Sequence, residues 1–214
     1  MGKTVQVPPG GSITPGAGRP LDGESELIRQ AAAGDERAFA ALVRRYEGTV
    51  YGFSYRICRD RERASQTLQD TFISVYRKLR TFDGRSRFST WLYTIAANNC
   101  RMGRRRRKWE HLTESLDNPP AEARDRQVHL ASGPASPADM VLTKELRRVL
   151  EEAVLKLPME YRLTFILRDA EGKSTAETAR ILGIGGEAVK SRLRRARSFL
   201  RRTLEPYVED REPR

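Results

Sequence analysis

The chain has 214 residues, enough for one or two compact domains with cores of ordinary size. Forty Lys and Arg against 28 Asp and Glu give a formal charge of +12 and a pI near 10.2, which favours a polyanionic partner, nucleic acid ahead of an acidic membrane surface. No stretch approaches the roughly 20 consecutive apolar residues of a membrane span, and "MGKTVQVPPGGSITPGAGRP" lacks the apolar block of a secretory signal, so a cytoplasmic chain without a span is expected.

Residues 1–22 are rich in Gly, Pro, Ser and Thr with almost no large apolar residues; they cannot offset their ordering entropy and read as a flexible tail. From residue 23 the apolar spacing is helical. Leu27, Ile28 and Ala31 form a first short stripe, closed by Gly34, and Asp35 can cap the next helix. There Phe39, Leu42, Val43, Tyr46, Val50 and Phe53 recur at three- and four-residue steps. Asp60 is a second N-cap candidate, ahead of a stripe of Ala64, Leu68, Phe72, Val75, Tyr76 and Leu79. After the loop "TFDGRSR", Phe88, Trp91, Leu92, Ile95 and Ala96 keep helical spacing, and the helix runs into the basic "RMGRRRRKW". Residues 23–112 therefore form one helical domain.

Residues 113–138 carry four prolines, glycine and mixed charge without a sustained period, the composition of a flexible linker. A second helical domain follows at 139–207, with a short tail at 208–214. It contains "MVLTKELRRVLEEAVLKL", stopped by Pro158, then "MEYRLTFILRDAEG", "STAETARILG" and "GIGGEAVKSRLRRARSFLRR". No strand-period alternation of useful length occurs, so the fold class is all-α: two small helical domains joined by a flexible linker.

Ser174 and Glu177 have the spacing of a capping box ahead of a short helix with Ala176, Ala179 and Leu182 on one side, and Gly183 supplies its stop. Beyond the turn, Val189, Leu193, Ala196 and Leu200 fall within about 60° of one another at about 100° per residue, so they form the buried stripe. Glu187, Lys190, Ser191, Arg194 and Arg195 then face outward. Two such helices around a glycine turn fit a helix-turn-helix whose second helix enters the major groove. On that geometry Lys190, Ser191, Arg194 and Glu187 reach base edges or nearby phosphates, while Arg192, Arg195, Arg197, Arg201 and Arg202 flank the groove as phosphate contacts.

Cys58 and Cys100 lie far apart, each inside a helical pattern, and read as small buried thiols. With only His111 and His129 elsewhere, no Gly-rich phosphate loop and no paired carboxylates beside a nucleophile, neither a metal nor a cofactor is expected.

Taken together, "LQDTFISVYRKLRTFDGRSRFSTWLYTIAANN" and "LPMEYRLTFILRDAEGKSTAETARILGIGGEAVKSRLRRARSFLR" resemble the extracytoplasmic function (ECF) group of bacterial sigma factors, over roughly residues 24–110 and 139–205. The resemblance implies an initiation factor with no reaction of its own. Its first domain would bind core RNA polymerase and open the promoter −10 element, and its second would read the −35 element; an anti-sigma factor is a further implied partner. Gln69, Asp70 and Phe72 match the polymerase-binding helix, with Gln66 just upstream. The family is usually acidic there, and Arg63, Ser65 and Gln66 change the charge offered to the polymerase.

"FSTWLYTIAANN" matches the −10 helix, with Trp91 in its core and Asn98 placed to face DNA, or else an ordinary exposed amide. Arg85 and Arg87 lie in the segment that captures an extruded base, and Phe88 is there either stacking platform or core. Arg101, Arg104 and Arg105 supply phosphate contacts near the end of the same helix. In the second domain Gly185, Gly186 and Glu187 replace the family's usual Ser or Thr cap. The rival readings are a free-standing helix-turn-helix regulator, which would bind a symmetric site as a dimer, and a nucleic-acid enzyme, which would need a catalytic constellation.

Overall fold

The computed structural model of the chain describes residues 23–114 and 137–209, and the expected tails and most of the linker lie outside them. Among the described residues every regular element is helical. The first group comprises α1 (Glu24–Ala33), α2 (Glu36–Cys58), α3 (Arg61–Lys78) with a 3₁₀ turn at Leu79–Thr81, and α4 (Phe88–Glu114). The second comprises α5 (Pro137–Lys156), α6 (Met159–Phe165), a π-helical turn at Ile166–Ala170, α7 (Thr175–Leu182) and α8 (Gly186–Glu209). Helices α4 and α5 thus each reach two residues into the stretch read as linker.

Helix boundaries follow local chemistry. Gly34 closes α1 at φ +104°, a left-handed conformation costly for a residue with a Cβ. The Asp35 carboxylate then accepts from the backbone N–H groups of Arg37 (2.8 Å) and Ala38 (3.1 Å), starting α2. Asp60 does the same for α3 through Arg63 N–H at 3.0 Å. The capping box of α7 is closed in both directions: Glu177 N–H donates to Ser174 Oγ (3.1 Å) and Ser174 N–H to the Glu177 carboxylate (2.9 Å).

Leu42, Phe53, Ile57, Val75 and Leu92 are fully buried between α2, α3 and α4. Leu157, Leu163, Leu167, Ile181 and Val189 fill the corresponding space between α5, α6, α7 and α8. Each such side chain contributes about 1.5–3 kcal/mol by leaving water, enough in sum to hold short helices that would not persist alone. The stripe expected on α8 is the buried one: Val189, Leu193, Ala196 and Leu200 all lie inside.

Two stripe assignments need correction. Tyr76 is 59% exposed, because it sits at the margin of the α3 stripe and lays its ring edge-on against Phe39 at 5.0 Å instead of entering the core. Ala176 is exposed in the first turn of α7, whose buried face is Thr178, Ile181 and Leu182. Phe88, for which the sequence left two roles open, is core. It is buried, with ring contacts to Tyr46, Phe82 and Trp91 at 5.3, 5.6 and 5.7 Å.

The two groups of helices touch, with α4 packed against α7. The joint is rich in polar contacts. The Arg162 guanidinium, 7% exposed, crosses from α6 to the end of α2, where it donates to Ile57 C=O at 2.8 Å, and it also donates to the carbonyls of Leu155 and Leu157. Burial pushes its pKa down to about 10, so it stays cationic at neutral pH and satisfies carbonyls left over at the ends of two helices. The π turn widens the backbone just where Asp169 and Glu171 emerge. Glu171 accepts from Arg56 (2.7 Å) and from the Tyr93 hydroxyl (2.6 Å), both in the first group.

Candidate nucleic-acid interface

The turn between α7 and α8 is short because Gly183 takes the left-handed conformation at φ +66° and Ile184 N–H returns to Ala179 C=O at 3.0 Å. Ile184 packs against the core beneath this turn, which sets the angle at which α8 departs. Val189, Leu193 and Ala196 anchor the inner face of α8, leaving Glu187, Lys190, Arg194 and Arg195 exposed and Ser191 half-buried. This is a helix-turn-helix with a cationic second helix.

The arginines of α8 are not equivalent. Arg192 donates to Glu160 at 2.9 Å, Arg195 to the Tyr161 hydroxyl at 3.2 Å, and Arg197 forks onto both oxygens of Asp169 at 2.9 and 2.6 Å. Lys190 pairs with Glu187 one turn away at 2.8 Å. Among the described residues, Arg194, Arg201 and Arg202 have no intramolecular acceptor and project freely. Arg194 and Arg201 border one cleft along α8 with Lys190 and Arg197, while Ser191, Arg192 and Arg195 border a second on its opposite side.

In the first group α4 presents the other cationic surface. Arg87 stands at its start, where its carbonyl accepts from Thr90 and Trp91 N–H at 3.0 and 3.1 Å, and its side chain is exposed. Arg85 is exposed in the preceding loop and pairs with Asp83 at 3.3 Å. Trp91 is half-buried against Phe82 and Phe88. Asn98 is exposed, and its Oδ1 accepts from Arg101 at 3.1 Å. Arg101 turns away from solvent to fork onto Glu160 at 3.0 Å for each of two bonds, while Arg104 and Arg105 are exposed. The candidates thus line one helix and the loop before it, with Arg101 engaged by the second group.

Three of the four candidate polymerase contacts share the outer face of α3, and the fourth, Phe72, points into the core because it belongs to the apolar stripe. Gln66 and Gln69 are exposed, Asp70 is half-buried and accepts from Gln66 at 3.1 Å, and Phe72 is a core anchor at 8% exposure. Sequence reasoning missed Ile73 and Tyr76, which are 49% and 59% exposed and continue this face at three-residue steps from Asp70. The signal was available: Ile73 falls outside the apolar stripe, yet it is apolar. Also missed was Asn99, whose amide donates to Thr71 Oγ1 at 3.2 Å and ties α4 to α3.

Among the described residues no group of three or more His, Cys, Asp or Glu is placed to hold a metal ion. Burial pushes the Cys100 thiol up to about 12, and the Cys58 thiol is raised for the same reason, so both stay protonated and unreactive at neutral pH. None of the described helices is long and apolar enough to cross a membrane.

Fold and surface together define, among the described residues, an all-helical protein with two cationic helices, one of them the second helix of a helix-turn-helix. The comparisons narrow this class. Residues 42–110 match the Sigma-70 region 2 family and residues 147–200 the Sigma-70 region 4 family. The chain is 30% identical to the RNA polymerase sigma-H factor of Pseudomonas aeruginosa, over 87% of this chain and 96% of that protein. It is 32% identical to the ECF sigma factor SigW of Bacillus subtilis, over 83% and 94% respectively. Among solved structures it resembles CnrH in complex with the cytosolic domain of CnrY, at 26% identity and a TM-score of 0.59, covering 86% of this chain and 99% of that one. The fold is also that of the sigma factor RpoE of Bartonella quintana, solved with the anti-sigma factor NepR, at 22% identity and a TM-score of 0.63 over 79% and 98% of the two chains.

The chain belongs to the extracytoplasmic function group of RNA polymerase sigma factors, and it is a transcription initiation factor. The free-standing regulator is not favoured, because region 2 accompanies the helix-turn-helix.

Proposed function

We propose that residues 23–112 dock on core RNA polymerase and engage the −10 element, that residues 139–207 read the −35 element, and that the two act on one promoter. On α8, Lys190, Ser191 and Arg194 contact bases, with Glu187 beside them, and Arg192, Arg195 and Arg197 hold phosphates. On α4 and its loop, Arg85, Arg87, Trp91 and Asn98 serve the −10 strand, with Arg101, Arg104 and Arg105 on its backbone. Gln66, Gln69 and Asp70 form the polymerase face, extended by the exposed Ile73 and Tyr76, with Phe72 anchoring the helix beneath it. An anti-sigma factor is a partner on the same reading, supported by CnrH, a relative of matching architecture solved with CnrY.

The observation that carries this reading is the cationic outer face of α8, on the second helix of a helix-turn-helix in a chain that also carries region 2. The test is run-off transcription by bacterial core polymerase on a randomised promoter library, with and without this protein. Sequence-selective transcripts that appear only with it support the reading and report both elements. None, together with tight binding of the protein alone to a symmetric site, overturns it.

A further inference from the structure

Glu160 stands where the two domains meet. It lies in the first turn of α6, and its carboxylate accepts from two arginines on different elements: Arg101 of α4, which forks onto both oxygens at 3.0 Å each, and Arg192 of α8 at 2.9 Å. These partners are 59 and 32 residues away in sequence. One belongs to the candidate −10 surface and the other to the candidate −35 surface. The fork of Arg101 is the geometry that a guanidinium adopts on a phosphate.

The two side chains are largely withdrawn from solvent, at 22% and 26% exposure, while Arg104, Arg105 and Arg194 beside them are exposed. Asn98 is tied into the same group through Arg101. Further contacts brace the junction: Arg162 on the end of α2, Glu171 on Arg56 and Tyr93, Lys173 over the Tyr93 ring at 4.6 Å, and Glu151 on Arg59 at 2.8 Å. Charge carries much of this junction, so salt and competing anions loosen it.

Distance shows that the closed arrangement cannot be the promoter-bound one. Elements centred at −10 and −35 are separated by about 25 base pairs, or about 85 Å of duplex at about 3.4 Å per pair. Arg101 and Arg192 share a single carboxylate. On the promoter reading above, on which this inference rests, the domains have to part before both elements are bound.

We infer that Glu160 is an internal stand-in for a DNA phosphate: it closes the two domains on each other by occupying one DNA-facing arginine of each, and promoter phosphodiesters displace it when the factor opens. The device keeps the free factor from clinging to random DNA through its full cationic surface. It also lets the same anion chemistry that binds the promoter release the latch.

The test uses the full chain and three single variants. Glu160→Gln keeps the shape of the side chain and removes its charge. Arg101→Gln breaks only the arm between domains, and Arg192→Gln only the arm within the second domain. Radius of gyration from small-angle scattering at low salt, and amide hydrogen exchange in α4 and α7, report opening without DNA or polymerase. Fluorescence anisotropy on a random-sequence duplex reports DNA binding.

Glu160→Gln and Arg101→Gln are expected to open the chain, and Arg192→Gln to leave it closed. Because a partly exposed ion pair shifts an equilibrium by up to about fivefold, Glu160→Gln should bind the random duplex about twofold to fivefold more tightly. If Glu160→Gln and Arg101→Gln both scatter and exchange like wild type, the latch is refuted. If Glu160→Gln opens the chain without tightening DNA binding, the phosphate stand-in is refuted. Should Glu160→Gln lose its helical circular dichroism, Arg101→Gln decides the question alone. A chain that opens as expected but directs no selective transcript leaves the latch standing and overturns the promoter reading instead.

Discussion

Arg194 and Arg201 lie on the exposed side of α8 without an intramolecular acceptor among the described residues, two turns apart, and the proposed docking gives them different work. Arg194 sits near the helix N-terminus, where a base edge is within reach; Arg201 lies farther along, where the backbone is. Replacing either by Ala removes no packing and slightly improves helix propensity, so a change in DNA binding reports the DNA contact. A bidentate contact to a base is worth about 1–3 kcal/mol, so Arg194→Ala should weaken binding to the preferred −35 duplex by about 5- to 150-fold and flatten discrimination at one position. Arg201→Ala should weaken all sequences alike. Loss of one phosphate contact lowers the slope of log K against log salt by about 0.9, so its deficit should shrink by about 3.5-fold between about 50 and 200 mM salt.

The assay is anisotropy of labelled −35 duplexes bearing each single-base change, at both salt concentrations. Equal, sequence-independent losses in the two variants would refute the assignment of a reading face. Arg197 provides an internal comparison. It must first leave Asp169, a cost of about 0.2–1 kcal/mol for a partly exposed pair, so Arg197→Ala should cost less than Arg201→Ala at the same salt.

Three further outcomes follow from the geometry. Ile73→Asp places a charge on the exposed face of α3; if Ile73 is buried on docking, affinity for core polymerase in a pull-down or interferometry titration falls by about 10- to 150-fold, as expected for about 1.5–3 kcal/mol of apolar burial, with the thermal midpoint unchanged. Gly183→Ala meets no atom within 4 Å but must hold φ +66°, so it costs about 1–2 kcal/mol, read as a lowered thermal midpoint and weaker −35 binding with unaltered sequence preference. The Arg101 hydrogen bonds hold the Glu160 carboxyl below its ordinary value of 4.5, with the Arg192 charge adding to the effect. Its contribution to closure is therefore complete above about pH 4.5 and is lost as pH falls through the lowered value; scattering across this range should show opening in wild type and none added in Glu160→Gln, which is already open.

How much was legible in sequence depended on how far apart the interacting residues lie. Helix caps are local, so Asp35, Asp60 and the Ser174–Glu177 pair could be read from adjacent residues, and each caps its helix as expected. The α8 stripe was equally legible, because its four apolar residues repeat at helical spacing and cationic residues occupy the other side. From that split follow the helix-turn-helix and the candidate reading face, and the charge of +12 follows from composition alone.

Tertiary structure decided which of the cations are free. Periodicity places Arg192, Arg194 and Arg197 on one helix and says nothing of Glu160 and Asp169, which come from another segment and take two of the three. It likewise ranks Tyr76 with the α3 core, since an angle on a helical wheel cannot tell where neighbouring helices stop covering it. The closure of one domain on the other was invisible for the same reason: Arg101, Glu160 and Arg192 share no local pattern and meet only because α4, α6 and α8 are folded against one another. Local backbone chemistry determines the elements; long-range packing determines which charges remain to meet DNA.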